Sequence, residues 1–199
     1  QVLQSPYPYE KTRVAVREMA DQLALELVDR GLVMDQLTLT LGYDIENLTD
    51  PERRKHYRGE VKADRYGRSV PKHAHGTANL GEYTASTRRI IAAALDLFDR
   101  IIDKDLLSRR LYLAACRVTA EQDALGEETF QQLDLFTDYG AEQERRAREA
   151  EELEREKRVQ RAVLDIKKRF GKNAILKGMN FQEGATAKDR NRTIGGHKA

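Results

Sequence analysis

Eight cationic side chains crowd one short stretch of the chain: Arg53, Arg54, Lys55, Arg58, Lys62, Arg65, Arg68 and Lys72. Only three acids, Glu52, Glu60 and Asp64, stand against them, a local excess of five positive charges. Tyr57 and Tyr66 interrupt the run, and His73, His75 and Thr77 follow it. Cations interleaved with aromatic rings suit a polyanion, the charges meeting phosphates. Serving roughly 4–6 phosphates would give a salt slope of about −4 to −5 on duplex DNA. No segment has the pattern of a helix that reads base edges, so such binding is sequence-tolerant. The bland alternative is a solvated basic loop.

A second cluster, Gln132-Leu133-Asp134-Leu135-Phe136, lies between the last predicted strand and a long charged segment. It has no core of its own to serve, so its side chains suit insertion into another protein. Fully burying the Leu and Phe gives roughly 3–6 kcal/mol. Ordering a flexible peptide subtracts several kcal/mol, which leaves an affinity on the order of micromolar. That is the strength of a tether. A short amphipathic turn packed on its own domain is the competing reading.

Other chemistry is weaker. Asp44, Glu46 and Asp50 are loop acids with no partner motif. His73 and His75 share one strand face, and Cys116 can approach from a neighbouring strand, but zinc needs three or four ligands and no fourth is evident. No metal site, catalytic residue or cofactor is therefore predicted. The single cysteine rules out an internal disulfide framework and fits a reducing cytoplasm.

The elements that must position these groups show in the hydrophobic period. Val16, Met19, Leu23 and Leu27 mark a helix from Tyr9 to Arg30, stopped by Gly31. Leu37, Leu39, Leu41 and Tyr43 alternate with polar residues, as in a half-buried strand. Residues 44–70 read as a polar loop or hairpin extension, and residues 72–80 as a strand of alternating small and polar residues. Ile90, Ala94, Leu97 and Ile101 mark a second helix capped by Thr84 or Ser86, and Leu111, Leu113 and Ala115 a further strand. With residues 1–4 as the first strand, the order is a split β-α-β-β-α-β fold of the α+β class. Both helices would cover one face of a four-stranded sheet. The open face would carry Thr38, Thr40, His73, His75, Thr77, Arg110 and Tyr112.

Length, 199 residues, fits one domain with extensions or two small ones, and the pattern favours the first: a sheet domain over 1–120, a linker over 121–140, a charged helix over 141–171 and a basic tail over 172–199. A hydrophobic share of 40% with 34% charged residues agrees with a small core carrying exposed arms. The helix is laced with Glu142–Arg146, Glu144–Arg148, Glu151–Arg155 and Glu154–Arg158 pairs, each contributing tenths of a kcal/mol. Its apolar stripe, Val159, Val163, Ile166 and Phe170, predicts docking on the domain or pairing with a second copy, so a monomer and a helix-mediated dimer both stay open. The tail's cations (Lys167, Lys168, Arg169, Lys172, Lys177, Lys188, Arg190, Arg192, Lys198) suit DNA or a partner alike. No run is apolar enough to cross a membrane. Gln1-Val2-Leu3-Gln4 begins like the middle of a strand, which predicts a piece of a longer protein.

Taken together, these features resemble the C-terminal part of a Y-family translesion DNA polymerase of the UmuC/ImpB/MucB/SamB type, in its Gram-positive form. The resemblance is carried by residues 33–43, by Lys72-His73-Ala74-His75-Gly76-Thr77 and by residues 109–115. Lys172-Asn173-Ala174-Ile175-Leu176-Lys177-Gly178-Met179-Asn180 and Gly195-Gly196-His197-Lys198-Ala199 extend it. It implies a little-finger domain that lays its sheet along primer-template DNA, damaged DNA included, and grips backbone phosphates. Thr38, Thr40, Lys62, Arg65, Arg68, Lys72, His73, His75, Thr77 and Arg110 would then make the contacts. Residues 132–136 resemble the motif that holds the sliding clamp. The Mg²⁺-binding carboxylates of the family belong to a palm domain upstream, so this stretch would not polymerise. DNA repair within the SOS response, in the cytoplasm at the nucleoid, is the implied setting. The alternative is a protein-protein interaction module that does not bind DNA.

Overall fold

A computed structural model of the protein describes residues 1–64, 66–124, 139–194 and 197–198. Strand β1 (Val2–Tyr7) leads into helix α1 (Tyr9–Arg30), whose Ala15, Val16, Ala20, Ala24 and Leu27 are buried. Gly31 ends α1 at φ +65°, where its N–H reaches the carbonyls of Leu27 and Val28. This left-handed position costs a side chain more than it costs glycine. Strand β2 (Leu32–Tyr43) starts earlier than the alternation alone predicts, and its Leu37, Leu39 and Leu41 are wholly buried. Each of these leucines contributes roughly 2 kcal/mol of transfer free energy.

Strand β5 (Ala74–Thr84), helix α4 (Thr87–Ile101) and strand β6 (Ser108–Ala120) complete the domain. The sheet order is β1-β6-β2-β5 with antiparallel neighbours throughout. Helices α1 and α4 pack together on one face, where Tyr9 stacks on Phe98 and Arg13 pairs with Asp99 at 3.2 Å. The small residues of β5 have a packing reason. A Cβ on Gly76 would stand 2.8 Å from Leu97 Cδ1 and 2.9 Å from Ile101 Cγ2, so α4 can lie close only over glycine.

The polar stretch 44–70 forms the hairpin extension, with two short helices that the sequence did not announce. Helices α2 (Glu46–Thr49) and α3 (Pro51–His56) precede a ribbon of strands β3 (Val61–Ala63) and β4 (Ser69–Pro71). Asn47, fully buried, fastens this insertion: its amide donates to the carbonyls of Asp44 and Leu107 and accepts from the Leu107 N–H, at 2.8–2.9 Å. A lone polar residue doing this work leaves no hydrophobic period to read.

Beyond β6 come the short helix α5 (Glu121–Ala124) and the long helix α6 (Tyr139–Phe170). The predicted seating stripe of α6 needs correction. Val163 and Ile166 are half-buried, but Val159 and Phe170 are 59% and 74% exposed. Helix α6 lies against α1, and polar side chains also fasten it to the start of α4. Glu156 accepts from the Ser86 hydroxyl at 2.6 Å and the Arg88 N–H at 3.0 Å, and buried Gln160 donates to Ala85 O and Thr87 Oγ1, both at 2.9 Å. Ser86 is the N-cap of α4, and a carboxylate beside that helix end is favourable. Among the anticipated intrahelical pairs, Glu144–Arg148 forms at 3.3 Å. Glu149 and Glu152, outside those pairs, meet Arg89 and Arg88 of α4.

The tail also folds back. A turn (Gly178–Phe181) and helix α7 (Ala187–Arg190) lie against α1 around Glu18, which is 1% exposed. Its carboxylate accepts from Asn180 Nδ2, Thr186 N, Thr186 Oγ1 and Ala187 N at 2.6–3.1 Å. Lys177 pairs with Asp21, Lys168 with Asp29, and Arg190 donates to the Gln1 side chain at 2.8 Å. The chain closes on a two-residue pairing of β7 (Thr193–Ile194) with β8 (His197–Lys198).

Candidate nucleic-acid interface

With α1 and α4 on one face, the pleat sends alternate residues of β2, β5 and β6 to the other. Thr38 stands opposite Thr77 and Ala114, and Thr40 opposite His75 and Tyr112. His75, Thr77 and Tyr112 are exposed, while Thr38 and Thr40 are partly covered. Thr40 Oγ1 and His75 Nδ1 share a hydrogen bond of 2.7 Å, and Thr38 Oγ1 lies 3.7 Å from Cys116 Sγ. The histidine and cysteine thus engage threonines, and among the described residues no group of three ligand-type side chains is placed to hold a metal.

One end of this face is closed. Arg117, at φ +48° near the end of β6, pairs with Asp35 at 2.8 Å, and Asn79 accepts from Gln36 at 2.8 Å and from Arg117 at 3.4 Å. Sequence reasoning missed Arg117, because nothing in a strand pattern marks the irregular backbone that aims it.

At the other end the ribbon stands over the sheet. Between them runs a groove of about 700 Å³ lined by Thr40, Lys62, Arg68, His73, Arg110 and Tyr112, among others. Five of the ten anticipated contact residues therefore meet in one place. Thr38, His75 and Thr77 lie further along the face, Lys72 sits at the ribbon's foot, and Arg65 falls outside the described residues. Gly42 helps: it lies opposite Arg110, where a Cβ would come within 3.3 Å of Arg110 Cβ.

Asp64 shapes the ribbon's turn. Its Oδ1 accepts from the N–H groups of Tyr66 and Arg68 at 2.8 and 3.0 Å, and its Oδ2 from the Arg68 guanidinium at 2.6 and 2.9 Å. The guanidinium above all, then the two N–H groups, holds the Asp64 pKa down at about 2. Gly67, at φ +76°, supplies the left-handed residue of the turn. At the base, Glu60 pairs with Lys72 at 2.8 Å and Lys62 at 3.6 Å, chiefly the former pushing its carboxyl pKa down. Arg109 pairs with Asp44 at 3.7 Å. The basic run is thus less naked than its composition suggests, since its acids are threaded among its cations.

The described residues thus form a helix-backed antiparallel sheet with an open polar face and a basic ribbon over one end. Residues 5–135 match the impB/mucB/samB family C-terminal domain, and the chain belongs to that family. It is the C-terminal region of a Y-family translesion DNA polymerase, a family of DNA repair. Helix α6 and the tail lie beyond the matched residues. No curated protein matches the chain in sequence. Residues 132–136, the anticipated clamp-binding peptide, lie outside the described residues. Among the described residues, no helix is long and apolar enough to cross a membrane.

Proposed function

We propose that this chain grips primer-template DNA through backbone phosphates, damaged template included, and ties the polymerase to the sliding clamp through Gln132-Leu133-Asp134-Leu135-Phe136, taking no part in the chemistry of nucleotide addition. The observation that carries the grip is the groove in which Lys62, Arg68, His73, Arg110 and Thr40 converge on the face opposite α1 and α4. The β1-β6-β2-β5 order supports reading the fold as the split little-finger arrangement. Its setting is the cytoplasm, at the nucleoid, in the response to DNA damage.

A mobility shift with primer-template DNA at low and moderate salt tests the grip, and a protein-binding module without DNA affinity would leave the DNA unshifted. Reversing charge at Arg65, Arg68 and Lys72 should weaken binding and reduce the salt slope by about 2–3, one unit per lost phosphate contact. An unchanged slope withdraws the ribbon from the interface. For the tether, Leu135→Ala with Phe136→Ala should abolish recovery on immobilised clamp and spare duplex binding. Equal recovery removes that assignment. Nucleotide incorporation by this chain should be blank.

A further inference from the structure

Phosphate contacts do not account for two exposed rings by the groove's mouth, Tyr112 among its lining residues and Tyr66 against the lining residues Arg68 and Arg110. Tyr66, at the ribbon's apex, is 69% exposed, and Tyr112, on the open face of β6, is 55% exposed. The guanidinium carbons of Arg68 and Arg110 lie 5.3 and 5.9 Å from the centre of the Tyr66 ring. This is cation–π range, so the ring is held at the groove rather than swinging free. The backbone beneath it is fixed as well, because Asp64 accepts from the Tyr66 N–H.

Arg110 differs from its neighbours. Lys62, Arg68 and Arg109 have the carboxylates of Glu60, Asp64 and Asp44, whereas among the described residues Arg110 forms no ion pair. It and Tyr112 stand two residues apart on one strand, both on the open face. An uncompensated guanidinium beside exposed rings offers a phosphate partner and a stacking surface together. Paired bases in a duplex keep their faces against each other, and only an unpaired base has a face to give a tyrosine. The groove's volume of about 700 Å³ falls in the range that takes a small-molecule-sized group.

We propose that the mouth of this groove binds an unpaired nucleotide of single-stranded DNA, its base stacked on Tyr66, Tyr112 as the adjoining platform, and its phosphate on Arg110. The assignment rests on the DNA-gripping reading and adds single-strand recognition to it.

The test uses the full chain with two labelled DNAs, a blunt duplex and the same duplex with a short single-stranded template overhang carrying 2-aminopurine. Wild type should prefer the overhang DNA and quench the 2-aminopurine as it stacks. Tyr66→Ala should lose on the order of fivefold to tenfold in affinity for the overhang DNA, and Tyr66→Leu should do the same, since it keeps apolar bulk without a ring. Both should leave blunt-duplex affinity within about twofold, Tyr66→Phe should behave as wild type, and Tyr112→Ala should show the smaller loss of a second platform. Tyr66 is exposed, so loss of folding does not confound the result. Equal wild-type affinity for the two DNAs, or an unchanged Tyr66→Ala protein, overturns the single-strand site and leaves the duplex grip standing. Failure of wild type to bind either DNA overturns the grip and this site with it.

Discussion

The ribbon at residues 60–72 and the tail at residues 177–190 are alike in composition and opposite in how they are held. Each is rich in charge, each turns on a glycine at positive φ (Gly67 at +76°, Gly184 at +91°), and each shows an aromatic ring that is 69% exposed, Tyr66 and Phe181. The tail delivers two backbone N–H groups, an amide and a hydroxyl to one buried carboxylate, Glu18. The ribbon is held by Asp64, which takes two N–H groups and the half-exposed Arg68 guanidinium at 2.6 Å, and by the exposed Glu60–Lys72 pair at 2.8 Å. A buried acceptor with four donors cannot be lost without leaving polar groups unsatisfied. Exposed pairs contribute little and exchange partners readily. The lesson is that the tail's polar contacts serve the fold, while the ribbon's cations stay available to a ligand.

Removing the tail's anchor is the strongest way to break that comparison. Glu18→Ala should lower unfolding stability by about 3 kcal/mol, since it removes charge-assisted hydrogen bonds and strands their donors. The urea midpoint reads the loss, and trypsin should gain access to Lys177, Lys188 and Arg190. Asp64→Ala should lower the midpoint by less, since the groups that it strands lie at the surface and can turn to water. Equal midpoints for the two variants would mean that the tail is held no more firmly than the ribbon.

The glycines sharpen the same contrast at smaller scale. A residue other than glycine in the left-handed region costs about 1–2 kcal/mol, and Gly67→Ala should lose no more than that, because nothing lies within 4 Å of its added Cβ. At Gly184 the new Cβ would stand 2.6 Å from Lys11 Cβ and 2.7 Å from Lys11 Cα. Backbone cannot swing aside, so Gly184→Ala should lose a further 1–3 kcal/mol or so from overpacking. Thermal melts of the two variants, compared with wild type, check the ranking.

What the sequence makes legible follows from this difference in holding. Periodic burial announces itself: Leu37, Leu39 and Leu41, or Ile90, Ala94 and Leu97, can be placed because one face of a regular element meets a core. So can the open face, which is the other half of the same alternation. Single polar anchors carry no period. Glu18 sits on a face of α1 that hydrophobic reasoning assigns to water, and Asn47 hides in a stretch that reads as loop. Helix α6 is the instructive case. Its sequence promises an apolar seat through Val159, Val163, Ile166 and Phe170; the helix packs on α1 with only Val163 and Ile166 half-buried, while Glu156 and Gln160 fasten it to the polar N-terminus of α4. Composition revealed the cations of the candidate site but not their neutralisation by Glu60 and Asp64, nor the two tyrosines at its mouth as a pair. Those depend on where the ribbon leans.

The smallest expected effect is also the one that reports directly on the ribbon's exchangeable state. The Asp64 carboxyl lies at about 2, below its ordinary 3.8, because Arg68 and two N–H groups favour its charged form. A carboxyl depressed in the folded state stabilises the fold above its unfolded pKa and loses that contribution as pH falls through the folded value. The apex should therefore be intact above about pH 4 and loosen only as pH approaches 2. Amide NMR shifts of Tyr66 and Gly67 should titrate in that low window, and Arg68→Ala should move the midpoint up toward 3.8. Titration of the wild-type apex at the ordinary value would show that the guanidinium does not hold the carboxylate. Saturating primer-template DNA gives the sharper form of the experiment. A phosphate that draws Arg68 away from Asp64 leaves the carboxylate with its N–H donors alone, so the midpoint should rise on binding, whereas a ribbon that never exchanges its partner would titrate unchanged.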